Sequence, residues 1–151
     1  MKKFSYIILF FILVTACNYE PIFLNKNNEK FNIVNFEIKN KNNITQNLVH
    51  LLKRESTANA SKIYTIELSA EKNKEVTSRD ARGNASVYRV SITCNFKIYE
   101  ESKLFRTKTI NKNFLFNEDK DKFKLKKYVS NLEKNLINEI VKDLILELYS
   151  S

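Results

Sequence analysis

The chain has 151 residues, 43% of them hydrophobic, which is enough for one domain with a real core and too few for two. Its single glycine excludes a glycine-rich phosphate loop, and one histidine with two cysteines cannot assemble a familiar zinc site. The formal net charge is +9, and only Lys2 and Lys3 of that excess lie in the first sixteen residues. A basic balance points to anionic partners: nucleic acid, acidic lipid head groups or a phosphorylated glycolipid.

Lys2 and Lys3 precede an apolar run from Phe4 to Ala16, the pattern of a secretory signal. At 1.5 Å per residue the run spans roughly 20 Å. A hydrocarbon core is about 30 Å thick, which argues against a permanent transmembrane helix. Val14-Thr15-Ala16-Cys17 reads as a lipobox. Residues 1–16 are therefore expected to be a lipoprotein signal peptide, and Cys17 to carry an N-acyl diacylglycerol lipid, with no other cofactor. The plainer alternative is an ordinary cleaved signal in which Cys17 is incidental. Asn18 follows, where an aspartate would resemble an inner-membrane retention signal, so an outer-membrane address on the periplasmic side is favoured. Export argues against a nucleic-acid partner.

Residues 17–30 read as a lipidated N-terminus and linker, with Tyr19, Ile22 and Phe23 as an apolar docking point. Residues 31–151 read as a single α+β domain. From Phe31 to Asn40 apolar and polar residues alternate, predicting strand one. Asn43 or Thr45 is a candidate cap. Ile44, Leu48, Leu51 and Leu52 fall at helical spacing, predicting a helix from about 44 to 56. Strand two follows at about 62–71. Residues 72–84 are charged and form either a long hairpin connection or strand extensions around a turn. Strand three is the clearest element: Tyr88, Val90, Ile92, Cys94, Phe96 and Ile98 share one face. Cys94, unpaired if Cys17 is lipidated, reads as a small buried hydrophobe. Glu100-Glu101-Ser102 is a tight turn. Strand four covers about 103–116 with a less clean alternation. A long helix then runs from about 121 to 149, with Val129, Leu132, Leu136, Ile140, Leu144 and Leu148 in a stripe widened by Ile137, Val141 and Ile145.

The predicted order is β-α-β-β-β-α, a two-layer α+β sandwich. Its sheet is four-stranded and mainly antiparallel, with two helices on one face. The polar sheet face is then either wet or covered by a partner.

Chemistry-bearing constellations are sparse. His50 stands alone on the first helix, and the acids of the turns sit among lysines, so no enzyme is expected. The basic residues are more informative. Lys72, Lys74, Arg79 and Arg82 lie in the strand two–three connection, and Arg89 lies on strand three. Lys120, Lys122, Lys124, Lys126 and Lys127 gather at the entry to the last helix. Such groups can meet phosphates through charge-assisted hydrogen bonds. The bland reading is a solvated basic surface.

Cys17-Asn18-Tyr19-Glu20-Pro21-Ile22-Phe23 resembles the Cys-Gly-Phe-x-Pro-Leu-Tyr opening of the LPS-assembly lipoproteins, the LptE family. Asn18 replaces glycine, and positions 19, 22 and 23 carry conservative apolar changes. The element order, the Arg79–Val90 segment feeding strand three and the long terminal helix also resemble that family. The resemblance implies a non-enzymatic outer-membrane lipoprotein. Such a protein assists assembly and function of the LptD β-barrel in delivering lipopolysaccharide to the cell surface. It also implies direct lipopolysaccharide contact, for which the nearest matches are Arg79, Arg82, Lys122 and Lys124. The alternative is a lipid-anchored accessory module of another cell-envelope complex.

Overall fold

The structure, a computed structural model, describes residues 30–149. The expected signal peptide, Cys17 and all of the linker except Lys30 lie outside the described residues, as do Ser150 and Ser151.

Six elements follow in the expected order: β1 (Phe31–Ile38), α1 (Asn43–Glu55), β2 (Lys62–Arg79), β3 (Ala85–Glu100), β4 (Lys103–Asn117) and α2 (Lys122–Tyr149). The strands form one sheet ordered β1-β2-β3-β4. β2, β3 and β4 are an antiparallel meander joined by tight turns. β1 lies parallel to β2, because α1 carries the chain back to the starting end of the sheet. The result is the α+β two-layer architecture that the hydrophobic periodicity predicts.

Local chemistry fixes the ends of α1. Asn42, rather than Asn43 or Thr45, is its N-cap: Asn42 Oδ1 accepts from Thr45 N at 2.9 Å, and Thr45 Oγ1 accepts from Asn42 N at 3.0 Å. Thr45 thus completes a capping box and is fully buried while doing so. The neighbouring Asn40 closes the β1–β2 ladder. Its side-chain amide bonds both the N–H and the C=O of Ala70, at 3.0 and 2.7 Å.

The core lies between the sheet and the two helices. Tyr64, Ile66, Leu68 and Ala70 of β2 and Ile92, Cys94, Phe96 and Ile98 of β3 meet Leu48 and Leu52 of α1. Ile137, Ile140, Leu144 and Leu148 of α2 complete it. Each large apolar side chain so enclosed contributes about 1.5–3 kcal/mol. Cys94 is free and buried, and burial pushes its thiol up to about 12.

Three features depart from the sequence reading or resolve it. First, the charged stretch after residue 71 continues as strand: β2 and β3 pair up to Arg79 and Ala85, far beyond the end of β1 at Ile38. Second, α2 buries its stripe only from Leu136 onward, and no side chain from Lys122 to Asn135 is fully buried. Third, β4 turns charges toward the helix layer. Arg106, Lys108 and Lys112 pair across to Ile98, Phe96 and Ile92, so they share the core-facing side. They meet acids of α2 there: Arg106 and Lys108 bond Glu147, and Lys112 bonds Asp143. This explains the imperfect alternation of β4.

The opposite sheet face is open and polar. Thr109 and Asn111 of β4 bond Asn95 and Thr93 of β3 at 2.8 and 2.6 Å.

Candidate functional site

The basic residues converge at the end of the sheet farthest from Phe31. The β2–β3 turn is built on Asp80. Its carboxylate accepts from Asn84 N at 2.8 Å and from Arg82 N at 2.9 Å. The Asn84 backbone bond is the leading reason that this carboxyl titrates below its ordinary range. Gly83 adopts φ +83°, a left-handed conformation that side-chain-bearing residues avoid. Arg79 folds back to donate to Gly83 O at 2.9 Å, while Arg82 is exposed at the tip.

Lys122 and Lys124 open α2 at the same end of the sheet, since Glu118 N donates to Ser86 O at 2.9 Å just before the helix starts. Asp121 caps this helix by accepting from Lys124 N at 2.9 Å. Lys122 pairs with Glu118. That hydrogen bond raises the lysine's pKa and lowers the carboxylate's.

The four expected contact residues therefore fall into two groups. Arg79 and Arg82 belong to the hairpin tip. Lys122 and Lys124 flank Glu118 and Leu125 but face different hollows. Lys124 shares a hollow of 350 Å³ with Leu115, Asn117 and Tyr128. Lys122 faces a larger cleft of 500 Å³ between the start of α2 and the extended β2–β3–β4 sheet.

That cleft also gathers Lys72, Lys74 and Lys126. Its apolar walls are Val90 and Phe116 on the sheet and Leu125 and Val129 on the helix. Lys72 bonds Glu133 at 2.6 Å. Lys74 holds its ammonium 4.0 Å from the ring centre of Tyr88 and 5.2 Å from that of Phe116, two rings stacked 5.3 Å apart. The sequence marks Lys72 and Lys74 among the basic residues that can meet phosphates, but the family resemblance does not single them out. The missed signal is the period of two: positions 72, 74 and 76 continue the face of Tyr64, Ile66, Leu68 and Ala70.

His50 lies on α1 in a separate shallow hollow with Leu51, Lys134 and Ile137. Among the described residues no three His, Cys, Asp or Glu side chains converge as metal ligands.

No family model matches the sequence, and no curated protein matches it. Solved structures do. Rare lipoprotein B from Shewanella oneidensis matches with a TM-score of 0.60 at 13% identity, over 79% of this chain and 95% of that one. The chain has the fold of the rare lipoprotein B, or LptE-type, structures. A minor lipoprotein from Acinetobacter baumannii matches with a TM-score of 0.60 at 10% identity, over 82% of this chain and 92% of that one. Lipoprotein B from Nitrosomonas europaea matches with a TM-score of 0.53 at 11% identity, over 76% of this chain and 82% of that one. The rare lipoprotein B fold thus accounts for nearly all of the described domain, and these three matched structures are of lipoproteins.

Proposed function

We propose that this protein is a non-enzymatic outer-membrane lipoprotein of the LptE type. It is anchored on the periplasmic side through a lipid on Cys17. It assists assembly and function of an LptD-type β-barrel and the delivery of lipopolysaccharide to the cell surface. The observation that carries this reading is the rare lipoprotein B fold with a lysine-rich cleft and an arginine-bearing tip at one end. Lipopolysaccharide presents phosphates, and clustered ammonium and guanidinium groups are suited to them. Arg79, Arg82, Lys122 and Lys124 are the proposed contacts, with Lys74 and Lys126 added by the cleft geometry.

The test is depletion of the protein in its native cell, with surface lipopolysaccharide and folded barrel measured together. Both fall if the reading holds, and the protein co-purifies with a large barrel from detergent extracts. Unchanged surface lipopolysaccharide, with no barrel recovered, would sink it.

A further inference from the structure

The open sheet face is polar over most of its length, but it changes character at the end where β1 starts. There Ile63 is 48% exposed and Leu104 57% exposed. Half-buried Tyr99 lies between them: it pairs with Leu104 on one side and with Thr65, two residues past Ile63, on the other. Ile63 and Tyr99 each adjoin a core residue in sequence, Tyr64 and Ile98, so their side chains leave the opposite face of the sheet. Val34, the extra residue where β1 shifts register against β2, is 59% exposed at the same end. One row further on the face is charged again, with Glu67 paired to Lys97 and Lys39. Large apolar side chains gathered in one exposed patch mark a docking surface.

The chain reaches β1 at this end, through Lys30 and Phe31. Two of the three sides around that entry are filled. The outer edge of β1 is bonded to the residues after α1: Ile33 N donates to Ser56 Oγ at 2.8 Å, and Thr57 N donates to Phe31 O at 3.0 Å. The helix side is closed by Tyr149, whose ring centre lies 5.3 Å from that of Phe31. The open face is the side left for the preceding residues to lie against. Those residues have the matching chemistry. Tyr19, Ile22, Phe23 and Leu24 are large and apolar, whereas Asn25 to Lys30 holds no large apolar residue. Extended, these six connecting residues reach roughly 20 Å. From β1 across to β4 is only about 14 Å, three strand spacings. Pro21 has no N–H to give a strand ladder, which suits a segment lying on a face better than one added to an edge. The segment's one charge is Glu20, and Lys62 and Lys103 open β2 and β4 at this end.

We infer that the patch of Ile63, Tyr99 and Leu104 is the seat of this chain's own segment Tyr19–Leu24. Docking there leaves Cys17 and Asn18 as the only free link between the domain and the proposed lipid, so the domain is held close to its anchor. The seat itself depends on neither the lipid nor the barrel.

The chain contains no tryptophan, so Leu104→Trp supplies a unique fluorescent reporter in the patch. The full chain is held in phosphatidylcholine nanodiscs, and its emission wavelength and quenching by acrylamide are measured. A blue-shifted, protected emission is expected. It should move to the red and lose its protection when Ile22→Ser, Phe23→Ser and Leu24→Ser are added together. Ile63→Trp should report the same change, so the reading does not hang on how one bulky ring fits. Asn113→Trp, farther along the same face, should be exposed with or without the serines. Retained circular dichroism keeps the comparison meaningful. Emission at positions 63 and 104 that the serines leave unmoved would overturn the inference. Protection that survives the serines and yields to brominated phosphatidylcholine would assign the patch to the leaflet, and protection that fades on dilution would assign it to a second copy of the chain. Either result overturns the inference while the proposed function, tested by depletion, stands.

Discussion

Lys112 of β4 places its ammonium 2.7 Å from an Asp143 carboxylate oxygen of α2, on the core-facing side of the sheet. An edge strand with no proline or glycine is a template for pairing with other chains. Inward-directed charges are one of the ways that natural sheets prevent this. Here the arrangement has a second effect, since the same charges tie α2 down along β4. Asp143 lies four residues before Glu147, and that spacing puts both acids on the helix face above Lys112 and Lys108.

Replacing Lys108 and Lys112 together by isoleucine should leave the fold intact but make the β4 edge sticky. The expected outcome is concentration-dependent light scattering, with an unchanged circular dichroism spectrum in dilute solution. Clear solutions at high concentration would show that these lysines do not protect the edge.

The Asn42 side chain both caps α1 and donates to Ala70 O at 2.8 Å. Asn42→Ala should therefore cost about 1–2 kcal/mol, the upper part of the capping range. Urea unfolding would read this as a lower midpoint with an unchanged slope. Asn43→Ala, at the position next to the cap, should cost distinctly less.

Acid stability should depend on Glu147. Its bonds to Lys108 first, and then to Arg106, hold its carboxyl below the ordinary range. The folded form thus favours the charged state, so the stabilisation is present above the unfolded carboxyl's pKa. It is lost as pH falls through the depressed folded value. Glu147→Gln should flatten the decline of melting temperature in that acidic window while lowering the melting temperature at neutral pH. Parallel curves for the two proteins would remove the assignment.

Cys17→Ala removes the proposed lipid. Several acyl chains anchor firmly where none anchors at all. The protein free of the proposed barrel should be mislocalised more severely than protein assembled with it. Fractionation with and without the barrel reads the difference. Equal mislocalisation in both cases would count against the barrel as a hold on the protein independent of its lipid.

Most of this architecture is legible in the residues, for reasons that also explain the failures. β3 is clear because Val90, Ile92, Cys94, Phe96 and Ile98 alternate with polar neighbours over its whole length. The extension of β2 is obscured because Lys72 and Lys74 occupy the core-side positions past Ala70, so both faces read as polar. β4 is blurred by Arg106, Lys108 and Lys112, whose acid partners Glu139, Asp143 and Glu147 lie far along the chain on α2. The cap of α1 is ambiguous because Asn40, Asn42 and Asn43 offer the same chemistry within one turn. The candidate site was half visible. Its lysines stand out by charge, but the apolar gap beside them exists only once α2 lies across the sheet.

The unequal strand lengths set a distance. Phe31 pairs with Lys62 at one end of β2, and the arginine-bearing turn begins at Arg79 at the other. At about 3.3 Å per residue these points are roughly 55 Å apart. The described domain begins at the near end, so if the proposed lipid on Cys17 moors the protein, the cationic tip stands at the end of a long boom. Standing upright, it touches targets well away from its own leaflet; lying flat, it meets that leaflet with the same residues. The tilt of the domain, and not the affinity of any single lysine, would then decide which lipid population it samples.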